Sequence, residues 1–99
     1  MNNAEYTFEW NPEKTTSNLL KHNVSFEESV TIFKDPEIIS IYDVEHSKYE
    51  ERWVSIGFSE SSKLLVVCHT FKEIDKKRTS IRIFSTRKAT KTEIKQYQK

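Results

Sequence analysis

The chain has 99 residues, enough for one domain with one modest core and too few for two. Hydrophobic residues are only 35% of it, but an aromatic share of 12% and the grouping of the apolar residues exclude a disordered chain except at its ends. The net charge of +1 is a cancellation, because residues 1–51 hold four Lys and Arg against eleven Asp and Glu, whereas residues 52–99 hold twelve against four.

Taken in order, the alternation of Tyr6, Phe8 and Trp10 with Thr7 and Glu9 predicts a short first strand with an aromatic face. Asn11 as cap, Pro12 at the first helical position and Glu13 behind it start a helix that runs to about His22, half exposed, with Asn23 in a left-handed conformation at its end. Ser25 and Glu28 read as a capping box for a second helix whose stripe is Phe26, Val30 and Phe33, and Asp35-Pro36 stops it. Ile38 to Tyr42 is a strand and residues 43–51 are a polar surface loop. Arg52 to Ser59 alternates as a strand with Val54, Ile56 and Phe58 together. After a turn, Leu64 to Phe71 is apolar enough for the middle of a sheet. A charged hairpin then leads to the last strand, where Ile81 and Ile83 lie on one face and Arg82 and Phe84 on the other. Thr90 and Glu93 make a capping box for a final short helix. The expected class is α+β over residues 1–99, with a mostly antiparallel sheet, two N-terminal helices packed on one face and a short C-terminal helix.

The second half is basic enough to draw nucleic acid or an acidic protein by its field. The strand carrying Arg82 ends in Arg87 and Lys88, and guanidiniums donate paired hydrogen bonds to phosphate, so this stretch reads as an anion-binding surface; the alternative is a solvated strand face. His22, His46 and His69 with the acids of the polar loop lack the spacing of metal ligands. The single glycine, Gly57, rules out a glycine-rich phosphate loop, so neither a metal nor a cofactor is expected. Cys68, in the run LLVVC, has no partner for an internal disulfide. The N-terminus MNNAEYTFEW has no leader pattern and no run is long enough to span a bilayer, so a cytoplasmic location without membrane contact is expected.

Cations and imidazoles without metal or cofactor suit the cleavage of RNA by its own 2′-hydroxyl. A base removes the hydroxyl proton, cations hold the phosphate charge, and an acid protonates the departing 5′ oxygen. His22 and His69 are the candidate acid and base, Arg52, Arg82 and Arg87 the candidate phosphate holders. Trp53, Phe84 and Lys88 are candidate RNA contacts by stacking and charge. The rival is a binding module that uses the same basic face without cleaving.

Six stretches in order carry a resemblance: FEWNPEK, KHNVSFEES, Lys34-Asp35-Pro36, HSKYEERWVSIG, VVCHT and IRIFSTRKAT. Together, from Phe8 to about Tyr97, they resemble the BrnT toxins of bacterial type II toxin-antitoxin systems. The resemblance implies a RelE-like fold and a metal-independent ribonuclease that halts translation. It also implies a BrnA antitoxin, a ribbon-helix-helix protein whose dimer forms a heterotetramer with the toxin and alone contacts operator DNA. Lys21 and His22 fall in the family's KH, Glu51 and Arg52 in its ERW, His69 in its HT, and Arg82 and Arg87 in its last strand. Asn11 stands where the family tends to have Asp, and it caps equally well.

Overall fold

The computed structural model describes residues 5–98, so Met1 to Ala4 of the stretch read for a leader lie outside the described residues. The elements are β1 (Glu5–Trp10), α1 (Pro12–His22), α2 (Phe26–Val30), a 3-10 turn (Thr31–Lys34), β2 (Ile39–Tyr42), a second 3-10 turn (Val44–His46), β3 (Trp53–Phe58), β4 (Leu64–His69), β5 (Lys72–Glu73), β6 (Arg78–Lys88) and α3 (Lys91–Tyr97). The strands form one six-stranded sheet in the order β1-β6-β4-β3-β2, with β5 paired to β6. Only β1 and β6 run parallel, so the sheet is mostly antiparallel and the class is α+β. No helix among the described residues is long and apolar enough to cross a membrane.

The local signals act as their chemistry demands. The Asn11 side chain accepts from the Glu13 amide at 2.9 Å, Asn23 closes α1 at φ 56°, and Thr90 and Glu93 satisfy each other's amides at the start of α3. At Ser25 the expected reciprocal box is only half formed. Ser25 accepts from the Glu28 amide at 3.0 Å, but the Glu28 carboxylate turns to the β3–β4 link, where it takes hydrogen bonds from Ser59 and Ser61 and approaches Lys63. The second helix is therefore one turn and a half of α-helix tightened into a 3-10 turn. That tightening turns Ile32 fully into the core beside Phe26, while Val30 and Phe33 are only partly buried.

Val24, Phe26, Ile32, Leu65, Val67, Ile81 and Ile83 form the core, with Phe8, Trp10 and Phe33 packed against it. Directly paired strand residues share a face, so the pairs Val67 with Thr86, Ser55 with Val67, and Phe8 with Ile81 put one sheet face against the α2 segment. Gly57 lies on this face, and a side chain there would press within 3.3 Å of Ile32 and Asp35. The sequence leaves the seat of the C-terminal helix open. α3 docks on the second face, through Glu93 bonded at 2.7 and 2.9 Å to Arg87 and through the Tyr97 ring against Phe58 at 5.3 Å. Tyr97 also donates to Asp35 at 2.5 Å, and burial with that carboxylate beside it pushes the phenol up to about 12.

Helix α1 has thin apolar content and is tied down by one buried amide. Asn18 donates to the carbonyls of Val24 (3.1 Å) and Thr86 (3.0 Å) and accepts from the Thr86 amide (3.1 Å). Truncation leaves buried backbone groups without partners, so Asn18→Ala should lose about 2–4 kcal/mol of stability in urea unfolding. A loss below about 0.5 kcal/mol would show that α1 is held by something else.

Candidate active site

The site grows from β6. Its alternation places Arg82 and Phe84 opposite Ile81 and Ile83, and β1 sets Glu9 directly beside Arg82. The backbone of Arg82 is fixed by one residue: Thr70 donates its amide to the Arg82 carbonyl and accepts the Arg82 amide on its hydroxyl, each at 3.0 Å. A second contributor is the polar loop before β3. Ser47 donates to the Asp43 carbonyl at 2.5 Å and accepts from the Arg52 amide at 3.0 Å, which closes the loop and delivers Glu50 and Arg52 to the same place.

There the Glu50 carboxylate binds the Arg82 guanidinium directly and lies 3.7 Å from that of Arg52. The charges stack on a single ring, with Arg52 at 4.2 Å, Arg82 at 4.9 Å and Lys14 at 5.3 Å from the centre of Phe84. Two cavities share Arg82 and Glu50 as a wall. One, of about 350 Å³, is lined by Asn11, Lys14, Arg52, Ile83 and Phe84; the other, of about 330 Å³, by Glu9, Glu51, Thr70, Phe71, Lys72 and Ser80. With side chains of Arg82 and Glu50 about 40% exposed (41% and 38%), their pair is screened by water and worth about 1 kcal/mol or less.

The other expected site residues are placed elsewhere. His69 is fully buried, its ring edge-on to Phe33 and Phe71. Its Nδ1 lies 3.0 Å from the Thr70 carbonyl, which can only accept, so Nδ1 carries the proton. Nε2 then accepts from the Ser55 hydroxyl at 2.6 Å, and Ser55 accepts from Ser40 at 2.6 Å. Burial holds the imidazole down at about 4. Both nitrogens are used inside the protein, and the ring supports Thr70, which in turn fixes Arg82. Arg87 is held in a two-pronged pair with Glu93, whose carboxyl its guanidinium draws down to about 2. Lys21 and His22 are exposed at the end of α1 and line neither cavity. Trp53 stands edge-on to Tyr42 and Phe71 on the helix-covered face, and Lys88 is exposed at the end of β6. Among the described residues no three His, Cys, Asp or Glu side chains gather as a metal-binding group.

Two members of the cluster were not anticipated from the sequence. Glu50 is one of several acids in the polar surface loop that nothing in the sequence distinguishes, and it is Glu50 that reaches the arginines. Lys14 carried a signal that was available, since a cation in the first turn of a helix opposes the helix dipole by about 0.3–1 kcal/mol and calls for another reason to be there.

A family model described as "Ribonuclease toxin, BrnT, of type II toxin-antitoxin system" matches residues 10–93. Among solved structures, a 1.1 Å crystal structure of the Brucella abortus ribonuclease toxin BrnT is similar in fold, with a TM-score of 0.55 and 18% identity over 88% of this chain and 100% of that one. No curated protein matches the sequence.

The depressed His69 value fixes a pH dependence. Its folded value, about 4, lies below the ordinary 6.5, so the unfolded chain takes up the proton first. Stability is therefore held above pH 6.5 and falls as pH drops toward 4. Proton-carbon NMR is expected to show the His69 ring neutral at about pH 5.5, and titration of that ring near 6.5 would contradict its burial.

Proposed function

Because the chain belongs to the BrnT family of ribonuclease toxins of type II toxin-antitoxin systems, we propose that it cleaves RNA, and that the Arg52–Glu50–Arg82 cluster is where it does so. The observation that carries this reading is the convergence of two guanidiniums on one carboxylate. Its oxygens stand in for those of a phosphate. A phosphodiester entering the cavity lined by Lys14, Arg52 and Phe84 exchanges for Glu50 on Arg82, which receives the phosphate oxygens in the paired geometry a guanidinium favours. Phe84 supplies the ring on which a neighbouring base or the guanidiniums stack.

The released Glu50 carboxylate then takes the proton of the 2′-hydroxyl. The 2′ oxygen bonds to phosphorus, the bond from phosphorus to the 5′ oxygen breaks, and that oxygen takes a proton from the Lys14 ammonium. The products are a 2′,3′-cyclic phosphate and a 5′-hydroxyl end, with the added charge on phosphorus neutralised by Arg52 and Arg82. No step in this route needs a metal. His69 acts in it as a positioning residue, through Thr70. Arg87 and Lys88, farther along β6, and Lys21 and His22, at the end of α1, are assigned to the RNA path outside the cleavage point.

A type II toxin has an antitoxin partner. For this chain the reading extends to a BrnA-type ribbon-helix-helix antitoxin, in a heterotetramer built on the antitoxin dimer that alone contacts operator DNA. It acts in the cytoplasm, where cleavage of RNA inhibits translation.

Purified protein assayed on RNA tests the roles. Arg82→Ala is expected to lower cleavage at least about 100-fold, and Arg82→Lys to recover little of it, since an ammonium lacks the paired donors. Glu50→Gln should cut cleavage by roughly 10²–10⁴ while RNA binding is kept. A folded Arg82→Ala protein of full activity would remove the cluster from the reaction, and full activity of Glu50→Gln would remove the proton-accepting role.

A further inference from the structure

We propose that the cavity on the acidic side of Arg82 is a base-reading subsite that takes guanine beside the phosphate held by the arginines; this deepens the ribonuclease reading and rests on it. The two cavities that meet at Arg82 and Glu50 differ in chemistry. The one with Lys14, Arg52 and Phe84 is cationic and aromatic, suited to the sugar-phosphate chain. The other sets Glu9, Glu50 and Glu51 against Arg82 and Lys72. Three carboxylates against two cations repel a second phosphate, so the occupant is an uncharged group with N–H donors.

Its volume of about 330 Å³ lies within the range of small-molecule clefts. The acceptors are also unspent. Glu50 is engaged by the arginines, but among the described residues Glu9 and Glu51 make neither an ion pair nor a side-chain hydrogen bond. Glu9 is placed rigidly, on β1 directly beside Arg82.

Of the four RNA bases only guanine presents two adjacent donor groups, N1–H and N2–H, at the spacing of the two oxygens of one carboxylate. Its O6 is an acceptor for the Lys72 ammonium or the Ser80 hydroxyl. Adenine and cytosine each set a ring nitrogen acceptor beside their single amino group, against the carboxylate. Uracil sets two carbonyl oxygens there.

The test measures binding and cleavage separately. Wild-type protein is titrated with guanosine 3′-monophosphate and uridine 3′-monophosphate, and its cleavage is mapped on oligoribonucleotides that differ only in the base next to one phosphodiester. The guanosine nucleotide should bind at least about tenfold tighter, as expected for one carboxylate-base pair, and cleavage should favour the guanine oligonucleotide. The double variant Glu9→Gln and Glu51→Gln, checked for folding by circular dichroism, should bring the binding ratio to within about twofold. Equal binding of the two nucleotides by the wild type overturns the subsite, whether or not RNA is cut. Guanosine-selective binding by a protein that leaves every RNA intact supports the subsite and overturns the ribonuclease reading. Cleavage without base preference, together with equal binding, does the reverse.

Discussion

One extra residue in β6 decides what the sheet can do. His69 faces Ile83, but Cys68 faces Ser85, so Phe84 is inserted in β6 as a bulge. Strict alternation from Ile81 and Ile83 would carry Ser85 and Arg87 into the core and turn Thr86 out. With the bulge, Thr86 is buried and bound by Asn18, while Arg87 shares a face with Val66 and reaches Glu93. A single strand thereby sends Arg82 to a cleft and Arg87 to the anchor of α3, without burying a charge. The bulged residue is itself the ring on which Arg52, Arg82 and Lys14 gather.

The bulge leaves the end of β4 free to support this cleft. His69 is kept neutral by burial, the Ser55 hydroxyl, itself bonded by Ser40, saturates Nε2, and its Nδ1 proton fixes the Thr70 carbonyl. Thr70 then supplies both hydrogen bonds that hold the Arg82 backbone. The imidazole is thus held as a strut, with both nitrogens bonded inside the protein. This is consistent with the general cost of exposing a buried imidazole to protonation, which would weaken the fold at the point that aims the arginine.

The elements were legible because their signals are local. Asn11-Pro12, Thr90 with Glu93, and the alternation of Ile81 and Ile83 each act within a few residues, and the strands and helices they mark are present. The bulge was not legible, since KRTSIRIFSTRK reads as unbroken alternation and only pairing with β4 reveals the extra residue. Neither was the parallel seating of β1 on β6, a contact between the two ends of the chain. Of the residues that cluster around Glu50, Arg52, Arg82 and Phe84 could be singled out from strand position and cation chemistry. Glu50 could not, because four acids in an aperiodic loop look alike until Ser47 closes that loop and selects which one meets the arginines. His69 was misleading for a related reason: residue type signals capacity for proton transfer, while burial, set by Phe33 from the distant α2 segment together with neighbouring Phe71, decides whether the capacity is used.

The proposed cleavage depends on the 2′-hydroxyl as the nucleophile within the Arg52–Glu50–Arg82 cluster. Its most direct measurement is cleavage, in excess EDTA, of an RNA oligonucleotide and of the same oligonucleotide with a single 2′-deoxy sugar at the preferred cleavage point, followed by analysis of the product ends. The mechanism requires 2′,3′-cyclic phosphate and 5′-hydroxyl ends from the first and no cut at the deoxy position of the second. Cleavage at the deoxy position, or products ending in a 5′-phosphate, would contradict it.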